Sequence, residues 1–176
     1  RTPRTANGLW PAFWLMGDDY DQVGWPACGE TDIVEMGHAT GMAQGTQDRF
    51  FNGACHWGPA WNNKGDYSRD TTAPYGMQDD FHLYTCIWTE DELAMYYDLD
   101  EDPNREPYFR MTITRTAGYE SNKLHVGNYF HKPNFILFNL AVGGNFPGLY
   151  DPAQITALND GPASMYVDYV RLYVKE

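Results

Sequence analysis

The chain has 176 residues, which fits one domain with a sizeable core. Its 24 acidic residues outnumber the 12 basic ones, and the net charge of −12 argues against nucleic acid as a partner, because phosphate binding needs clustered Lys and Arg. Hydrophobic residues make up 43% of the chain, but no apolar run is long or pure enough to span a bilayer. A neutral substrate or ligand suits this composition best.

The predicted elements are almost all strands, recognised by the period-two alternation of β-branched and aromatic residues. In chain order, the predicted strands lie within residues 29–38, 81–89, 92–99, 108–115, 134–142 and 164–176. The last segment carries apolar side chains on both faces, which is typical of a strand packed inside a two-sheet sandwich. Clusters of Gly, Pro, Asn and Asp separate the strands, and residues 151–159 predict one or two short helical turns. This pattern predicts an all-β sandwich or jelly roll.

Aromatic residues make up 16% of the chain. Most of them are expected to fill the core between two sheets. Others are expected to line a cleft, because the apolar face of a sugar ring packs well on an aromatic ring.

The cysteines indicate neither a zinc site nor a disulfide framework. Cys28, Cys55 and Cys86 are odd in number and lack Cys-x-x-Cys spacing. A bridge between Cys28 and Cys55 across neighbouring strands stays open. No cysteine is paired with an obvious base, so a catalytic thiol is not predicted.

The segment GETDIVEMGH carries three carboxylates, Glu30, Asp32 and Glu35, in an otherwise apolar, β-branched run. In a regular strand alternate residues share a face, so Glu30 and Asp32 point together while Glu35 points the other way. One extra residue, a β-bulge around Ile33–Val34, brings Glu35 back to the face of the other two. We therefore predict a bulged strand that presents all three carboxylates on one face.

Such an arrangement has the chemistry of a retaining glycosidase, whose two carboxyl groups stand about 5–5.5 Å apart. One glutamate must be ionised to attack the anomeric carbon, and the other must hold a proton for the leaving oxygen. Asp32 lies between them, where it would hydrogen-bond one glutamate and raise the proton affinity of the other by charge repulsion.

The acidic strand has three other interpretations. A solvated strand face is the usual place for charge on a sheet, but Trp25 just upstream and the interleaved Ile33 and Val34 argue against it. Calcium or magnesium binding would use the same oxygens, but the spacing matches no loop-type site. The Glu-x-x-His of di-iron bundles, spelled by Glu35 and His38, needs a helix and a second copy, which a β-type run does not provide.

A second acidic cluster, Asp98, Asp100 and Asp102, has the opening pattern of a calcium loop. Pro103 occupies the position that needs Gly, and Phe109 the position that needs Glu. The cluster is therefore interpreted as a solvated hairpin turn.

The sequence resembles glycoside hydrolase family 16, the laminarinase-type β-glucanases. The resemblance covers nearly the whole chain in the family's order, through GLWPAFWLMG (8–17), GWPACGETDIVEMG (24–37), CHWGPAWNN (55–63), FNLAVGGNFPG (138–148) and VDYVRLY (167–173). It implies a concanavalin-like β-jelly roll of two stacked antiparallel sheets, with a substrate cleft across the concave sheet. It also implies retaining hydrolysis without a catalytic cofactor.

The resemblance implies catalytic roles for the three carboxylates. Glu30 matches the nucleophile, Asp32 the assisting carboxylate and Glu35 the acid/base. The E-x-D-x-x-E spacing resembles the bulged laminarinase branch rather than the E-x-D-x-E form of bacterial lichenases.

Further residues are implied as substrate or metal contacts. Trp25 matches a sugar-stacking tryptophan, and His56 matches a histidine on the neighbouring strand that faces the cleft. Trp10 and Asn139 are further substrate-binding candidates, although a structural role would also explain them. Asp168 matches a residue that helps to hold a structural calcium on the convex face in many relatives.

The chain departs from the family pattern at three points. Thr31 stands where Ile or Leu is usual, on the face away from the carboxylates. Phe146 stands where Trp is usual, which puts one stacking contact and the substrate preference in doubt. The chain also begins where the family is already several strands in, so residues 1–176 are expected to form the C-terminal portion of one catalytic jelly-roll domain, with its N-terminal strands outside this segment.

The sequence thus predicts a retaining endo-hydrolase that cleaves internal β-1,3 linkages of laminarin-type glucans. Mixed-linkage β-1,3/1,4-glucan is the close alternative substrate, and a sulfated galactan fits the acidic charge balance less well. A non-catalytic, lectin-like carbohydrate-binding module is the alternative from another class, but binding alone has no use for two glutamates around an aspartate. The neutral polymeric substrate and the resemblance predict a secreted or cell-surface protein.

Overall fold

A computed structural model describes residues 1–174, which fold into two antiparallel sheets with little helix. The strands are β1 (Leu9–Gly17), β2 (Glu30–Met36), β3 (Phe50–Ala60), β4 (Asn63–Thr72), β5 (Tyr84–Trp88), β6 (Glu92–Tyr97), β7 (Phe109–Thr112) and β8 (Asn134–Val142). The helical elements are α1 (Tyr20–Val23), α2 (Ala39–Gln44) and single 3₁₀ turns at Tyr119–Ser121, Val126–Asn128 and Pro152–Gln154. Within the described range, no helix has the length and apolar character needed to cross a membrane. The predicted all-β sandwich is confirmed.

The core lies between the two sheets. The larger sheet has the strand order β4-β3-β2-β1-β8, and the smaller one has the order β5-β6-β7. Val34 and Met36 of β2 and Phe51 of β3 are buried in one cluster with Tyr97 of β6. Cys55 of β3 belongs to a second buried cluster with residues of β6 and β7. One face of the larger sheet is therefore committed to packing, and its other face is available for a cleft.

The cleft face combines carboxylates on β2 with aromatic side chains on β1. Three cross-strand pairs of the β1–β2 ladder lie on it: Ala12 with Glu35, Trp14 with Asp32, and Met16 with Glu30. On the other side of β2, His56 of β3 is paired with Glu30. Because alternate residues share a face, Trp10 lies on the same side of β1 as Ala12 and Trp14.

The bulge predicted at Ile33–Val34 is present. Between Asp32 and Glu35, strand β2 advances one residue more than β3 does, and the β1–β2 ladder shifts at the same place. A bulge of this kind reverses the parity of the residues that follow it. Glu35 is thereby returned to the face that carries Glu30 and Asp32.

The bulge is supported from the smaller sheet. The Tyr108 hydroxyl, just before β7, donates a hydrogen bond to the Ile33 carbonyl. Opposite the bulge, β3 has Gly53, where an added Cβ would lie 2.7 Å from Met95 Sδ and 3.1 Å from Tyr108 Cε2. The absence of a side chain at Gly53 therefore lets Tyr108 approach closely enough to satisfy a buried carbonyl of the bulge.

The strand predicted at residues 164–176 is wrong for residues 164–174, which form no strand; residues 175 and 176 lie outside the described range. The backbone hydrogen bonds of this segment within residues 1–174 join Tyr166 to Arg1. A strand needs a continuous ladder of partners, and a single residue does not supply one. Apolar side chains such as Val167, Tyr169 and Leu172 consequently remain exposed.

The solvated turn predicted for the second acidic cluster is wrong for Asp98. This residue is buried, and its carboxylate accepts hydrogen bonds from the Tyr75 hydroxyl at 2.9 Å and the Leu83 amide at 3.0 Å. His82 Nδ1 lies 2.9 Å from the same carboxylate. Asp98 is therefore an internal anchor for the 75–83 loop, while the other two aspartates of the cluster are exposed as predicted.

All three cysteines are free, so Cys28 and Cys55 do not form a bridge. Cys28 and Cys55 are fully buried in the core. Burial raises the pKa of each thiol, to about 12 for Cys86.

The support of the bulge can be tested with Tyr108→Phe. This change removes the donor to the Ile33 carbonyl and should lower the free energy of unfolding by about 1–3 kcal/mol, measured by chemical denaturation. Tyr84→Phe is the matched control, because the Tyr84 hydroxyl is buried without a hydrogen-bond partner within residues 1–174. Equal losses in the two variants would contradict the role assigned to Tyr108.

Candidate active site

The three carboxylates of β2 line one cavity of about 310 Å³ on the cleft face. The other residues of its lining are Trp10, Ala12, Trp14 and Asn139. The cavity thus brings together the residues predicted as catalytic and two of those predicted to bind substrate. Trp25 and His56 lie at its Glu30 side, as described below.

Glu35 is more buried than Glu30, with a relative exposure of 9%. The indole Nε1 of Trp10 donates a hydrogen bond to Glu35 Oε1 at 2.8 Å. Burial and the negative charge of Asp32 raise the pKa of Glu35 to about 8, although the Trp10 hydrogen bond and His56 act in the opposite direction. Glu35 therefore carries a proton at neutral pH and is able to act as a general acid.

Asp32 and Glu30 form a close carboxyl pair. Burial raises the pKa of Asp32 well above its usual range, and the charge of Glu30 and a hydrogen bond with it act in the same direction. Trp25 Nε1 donates a hydrogen bond to Glu30 Oε2, and an N–H donor stabilises a carboxylate's negative charge. Burial therefore drives Asp32 toward its protonated form, while Glu30 has an N–H donor from Trp25.

His56 faces this pair from β3. Its Nε2 lies 3.4 Å from Asp32 Oδ2, within the range of charge attraction but without the geometry of a hydrogen bond. Its ring centroid lies 6.2 Å from that of Trp25. His56 therefore lies on the strand next to β2, beside the Glu30–Asp32 pair.

Glu30, Asp32 and His56 are also the group within residues 1–174 whose ligand atoms are spaced to surround a cation, all lying within 4.8 Å of one another. The indole N–H of Trp25 already binds one oxygen of Glu30. The same three side chains are the ones that face the reacting carboxyl pair, and the proposed mechanism uses them without a metal.

The structure separates Asp168 from the other candidates. Asp168 is exposed in the 164–174 segment. Within the described part of the chain, it belongs to no group of carboxylates close enough to share an ion. The structural calcium that the resemblance implied at Asp168 therefore stays a prediction.

The sequence analysis missed Trp14, which lies at the centre of the site. Its Nε1 donates a hydrogen bond of 2.7 Å to Asn139 Oδ1, so the Asn139 amide is oriented from β1. The signal that would have found it is the parity of β1, which places Trp10 and Trp14 on one face. Phe146 also has a defined role, because its ring stacks on Trp10 with centroids 5.0 Å apart.

The fold and the cleft together define a β-sandwich with a carboxylate centre on one sheet face. A family model for glycosyl hydrolases family 16 matches residues 2–127, and the chain belongs to that family. It is 34% identical to a glucan endo-1,3-beta-glucosidase of Cryptopygus antarcticus over 97% of this chain and 58% of that protein. It is 32% identical to glucan endo-1,3-beta-glucosidase A1 of Niallia circulans over 98% of this chain and 23% of that protein.

Among solved structures, the chain resembles the Bacteroides ovatus mixed linkage glucan PUL GH16, determined in complex with a G4G4G3G product. The two share 38% identity with a TM-score of 0.77, over 93% of this chain and 61% of the other. The chain thus spans less than two thirds of the length of these relatives.

The Trp10–Glu35 hydrogen bond can be tested with Trp10→Phe. Loss of the indole donor should raise the pKa of Glu35 further, because the bond stabilises the ionised carboxylate. The alkaline limb of the pH dependence of kcat/KM should move upward accordingly. Trp88→Phe is the control, since its indole donates to the Phe130 carbonyl in another part of the molecule and its loss should leave the limb in place.

Glu35 also predicts a pH dependence of stability. Its pKa is higher in the folded protein than its ordinary value of 4.5, so the stability that it contributes is present below pH 4.5 and is lost as the pH rises through about 8. Glu35→Gln should therefore be more stable than the parent at alkaline pH, on the order of a few kcal/mol, with a smaller difference in acid.

Thermal unfolding of the two proteins above pH 8 and below pH 4.5 measures this difference. Glu101→Gln, at an exposed position, is the control and should behave like the parent at both pH values. A Glu35→Gln protein without added stability at alkaline pH would contradict the raised pKa.

Proposed function

We propose that the chain is the catalytic part of a retaining endo-β-glucan hydrolase that cleaves internal β-1,3 linkages of laminarin-type glucans. The observation that carries this proposal is the position of Glu30 and Glu35 on one cleft face with Asp32 between them, in a chain of family 16. The two glutamates have different surroundings, as an acid and a nucleophile require.

In the proposed mechanism Glu30 attacks the anomeric carbon and forms a covalent glycosyl-enzyme, while Glu35 gives its proton to the leaving oxygen. Glu35 then takes a proton from water, and the resulting hydroxide equivalent releases the sugar with its β-configuration retained. The raised pKa of Glu35 supports the acid role. Trp25 supports the nucleophile role, because its indole N–H donates a hydrogen bond to Glu30.

The substrate assignment rests on charge and on the relatives. The net charge of −12 disfavours polyanionic substrates such as sulfated galactans. The two curated relatives described above are glucan endo-1,3-beta-glucosidases. A β-1,3-linked neutral glucan such as laminarin is therefore the first candidate.

Mixed-linkage β-1,3/1,4-glucan is the second candidate. The observation in its favour is the 38% identity to the Bacteroides ovatus mixed linkage glucan PUL GH16. That identity exceeds those to the two glucan endo-1,3-beta-glucosidases.

The exposed edge of the larger sheet bears on the extent of the domain, and the substrate bears on where the protein is found. Strand β8 is an edge strand of the larger sheet, and its Phe135, Ile136 and Val142 side chains are exposed. An exposed apolar edge of this kind suits pairing with further strands, so we place residues 1–176 as one portion of a jelly-roll domain that other strands complete. A polymeric substrate outside the cell would require the protein to be secreted or held at the cell surface.

The proposed function is tested by reducing-sugar release from laminarin, mixed-linkage glucan, agarose and carrageenan in parallel. We expect release from the two glucans, with the β-anomer as the first-formed product in NMR. Glu30→Gln and Glu35→Gln should each lower kcat by at least about 100-fold while leaving oligosaccharide binding in place.

Two results would contradict the proposal. An initial α-anomer would mean inversion rather than retention, and full activity in either Gln variant would remove that glutamate from the mechanism. Glucan binding without hydrolysis in the parent would favour the lectin-like alternative.

A further inference from the structure

The segment between β1 and β2, residues 18–29, delivers Trp25 to the cleft. The four residues of its helix α1 are all exposed, so the packing of an apolar helix face does not fix where the segment lies. Its last part is a tight turn, in which the Cys28 amide donates a hydrogen bond to the Gly24 carbonyl at 3.0 Å. We call residues 24–29 the Trp25 turn.

Lys132, just before strand β8, contacts both ends of this segment. Its Nζ lies 3.0 and 2.7 Å from the two carboxylate oxygens of Asp19, and 3.2 Å from the carbonyl oxygen of Ala27. An ammonium group has three N–H donors, and these contacts provide an acceptor for each of them. Lys132 therefore joins the start of the segment and the Trp25 turn to the larger sheet.

The surroundings of these contacts favour a defined geometry. The Lys132 side chain is 20% exposed and that of Asp19 is 32% exposed, so water screens this pair less than it screens an ion pair on the open surface. The start of the segment is also held by its backbone, because the Asp18 amide donates to the Pro133 carbonyl at 3.1 Å. The bond from Lys132 to the Ala27 carbonyl is therefore the contact that bears on the Trp25 turn.

The Trp25 turn acts on Glu30 through one hydrogen bond. The indole Nε1 of Trp25 donates to Glu30 Oε2, and a hydrogen bond weakens steeply when its distance or angle departs from the optimum. An N–H donor favours the ionised form of a carboxyl group, which is the form that attacks as a nucleophile. A displacement of the turn is thereby transmitted to the Glu30 carboxylate.

We propose that Lys132 is a positioning residue, which holds the Trp25 turn so that the Trp25 indole donates to the Glu30 carboxylate. Lys132 itself lies outside the cavities that Glu30 lines, so it acts without touching the substrate. This inference rests on the proposed function, because the role of Glu30 as nucleophile is taken from it. Its consequence is that a cation behind the cleft influences the nucleophile through a backbone carbonyl and an indole.

The first measurement is the indole N–H signal of Trp25 in isotope-labelled protein by NMR, identified by its absence in Trp25→Phe. Lys132→Met removes the three donors, and the signal should move upfield, toward the position of an indole without a hydrogen bond. Lys132→Arg keeps a cation with several donors and should restore part of the shift. Arg110→Met is the matched control, because Arg110 pairs with Glu92 at 2.6 Å in the smaller sheet, and it should leave the signal in place.

The second measurement is kcat/KM on laminarin as a function of pH. Lys132→Met should lower kcat/KM roughly three- to thirtyfold, because Glu30 loses part of a hydrogen bond that favours its charge. The acid limb of the pH profile should move to higher pH for the same reason. In a Trp25→Phe background the same change should have little further effect, because the indole through which Lys132 acts is already absent.

An unmoved Trp25 signal in Lys132→Met would overturn the inference, and so would equal losses of kcat/KM in the parent and Trp25→Phe backgrounds. The remaining indole signals show whether Lys132→Met is folded. If it is not, Asp19→Asn takes its place, because it removes the charge that orients the ammonium group. This variant should move the Trp25 signal in the same direction by a smaller amount, and an unmoved signal would again overturn the inference.

Laminarin hydrolysis by the parent separates the two proposals. Absent hydrolysis, together with a Trp25 signal that moves in Lys132→Met, would contradict the proposed function alone and still support the positioning of Trp25 by Lys132.

Discussion

The β-bulge at Ile33 is the constraint on which the site depends. Without the extra residue, strand parity would direct Glu35 into the apolar space between the sheets, near Phe51, and would turn Met36 out to the cleft. The bulge moves that carboxyl to the cleft. The Tyr108 hydroxyl, from the opposite layer, donates a hydrogen bond to the Ile33 carbonyl that the bulge leaves without a partner in the ladder. The packing of the two sheets and the geometry of the carboxylates are therefore parts of one arrangement.

The asymmetry between the two glutamates follows from where the aromatic residues lie. Trp10 stacks on Phe146 and donates its indole N–H to Glu35, and the burial of this carboxyl favours its protonated form. Trp25 instead points its N–H at Glu30 and leaves that end of the pocket open toward Trp61. Two chemically identical side chains on one strand thus have different surroundings, and those of Glu35 raise its pKa.

The part of the site that sequence could predict is the part governed by strand parity. The three carboxylates violate a regular period of two, and this conflict identified both the bulge and the face. Trp14 follows the same rule on β1, but residues 9–17 lack the clear alternation that predicts a strand. Asp98 could not be predicted this way, because a loop has no period and its partners are distant in sequence. The strand predicted at residues 164–174 is wrong for a related reason. An alternating pattern shows that a segment is able to pair in a sheet, but a strand forms only where a neighbouring strand is available.

The buried cysteines have a practical consequence. Each thiol has a raised pKa and a hydrophobic or enclosed setting, so only a very small fraction is present as the reactive thiolate at neutral pH. The three natural cysteines should consequently react little with thiol-directed labels. A single cysteine introduced on an exposed turn would be modified selectively, and a fluorophore or spin label placed there would report on a passing polysaccharide without removal of the natural cysteines.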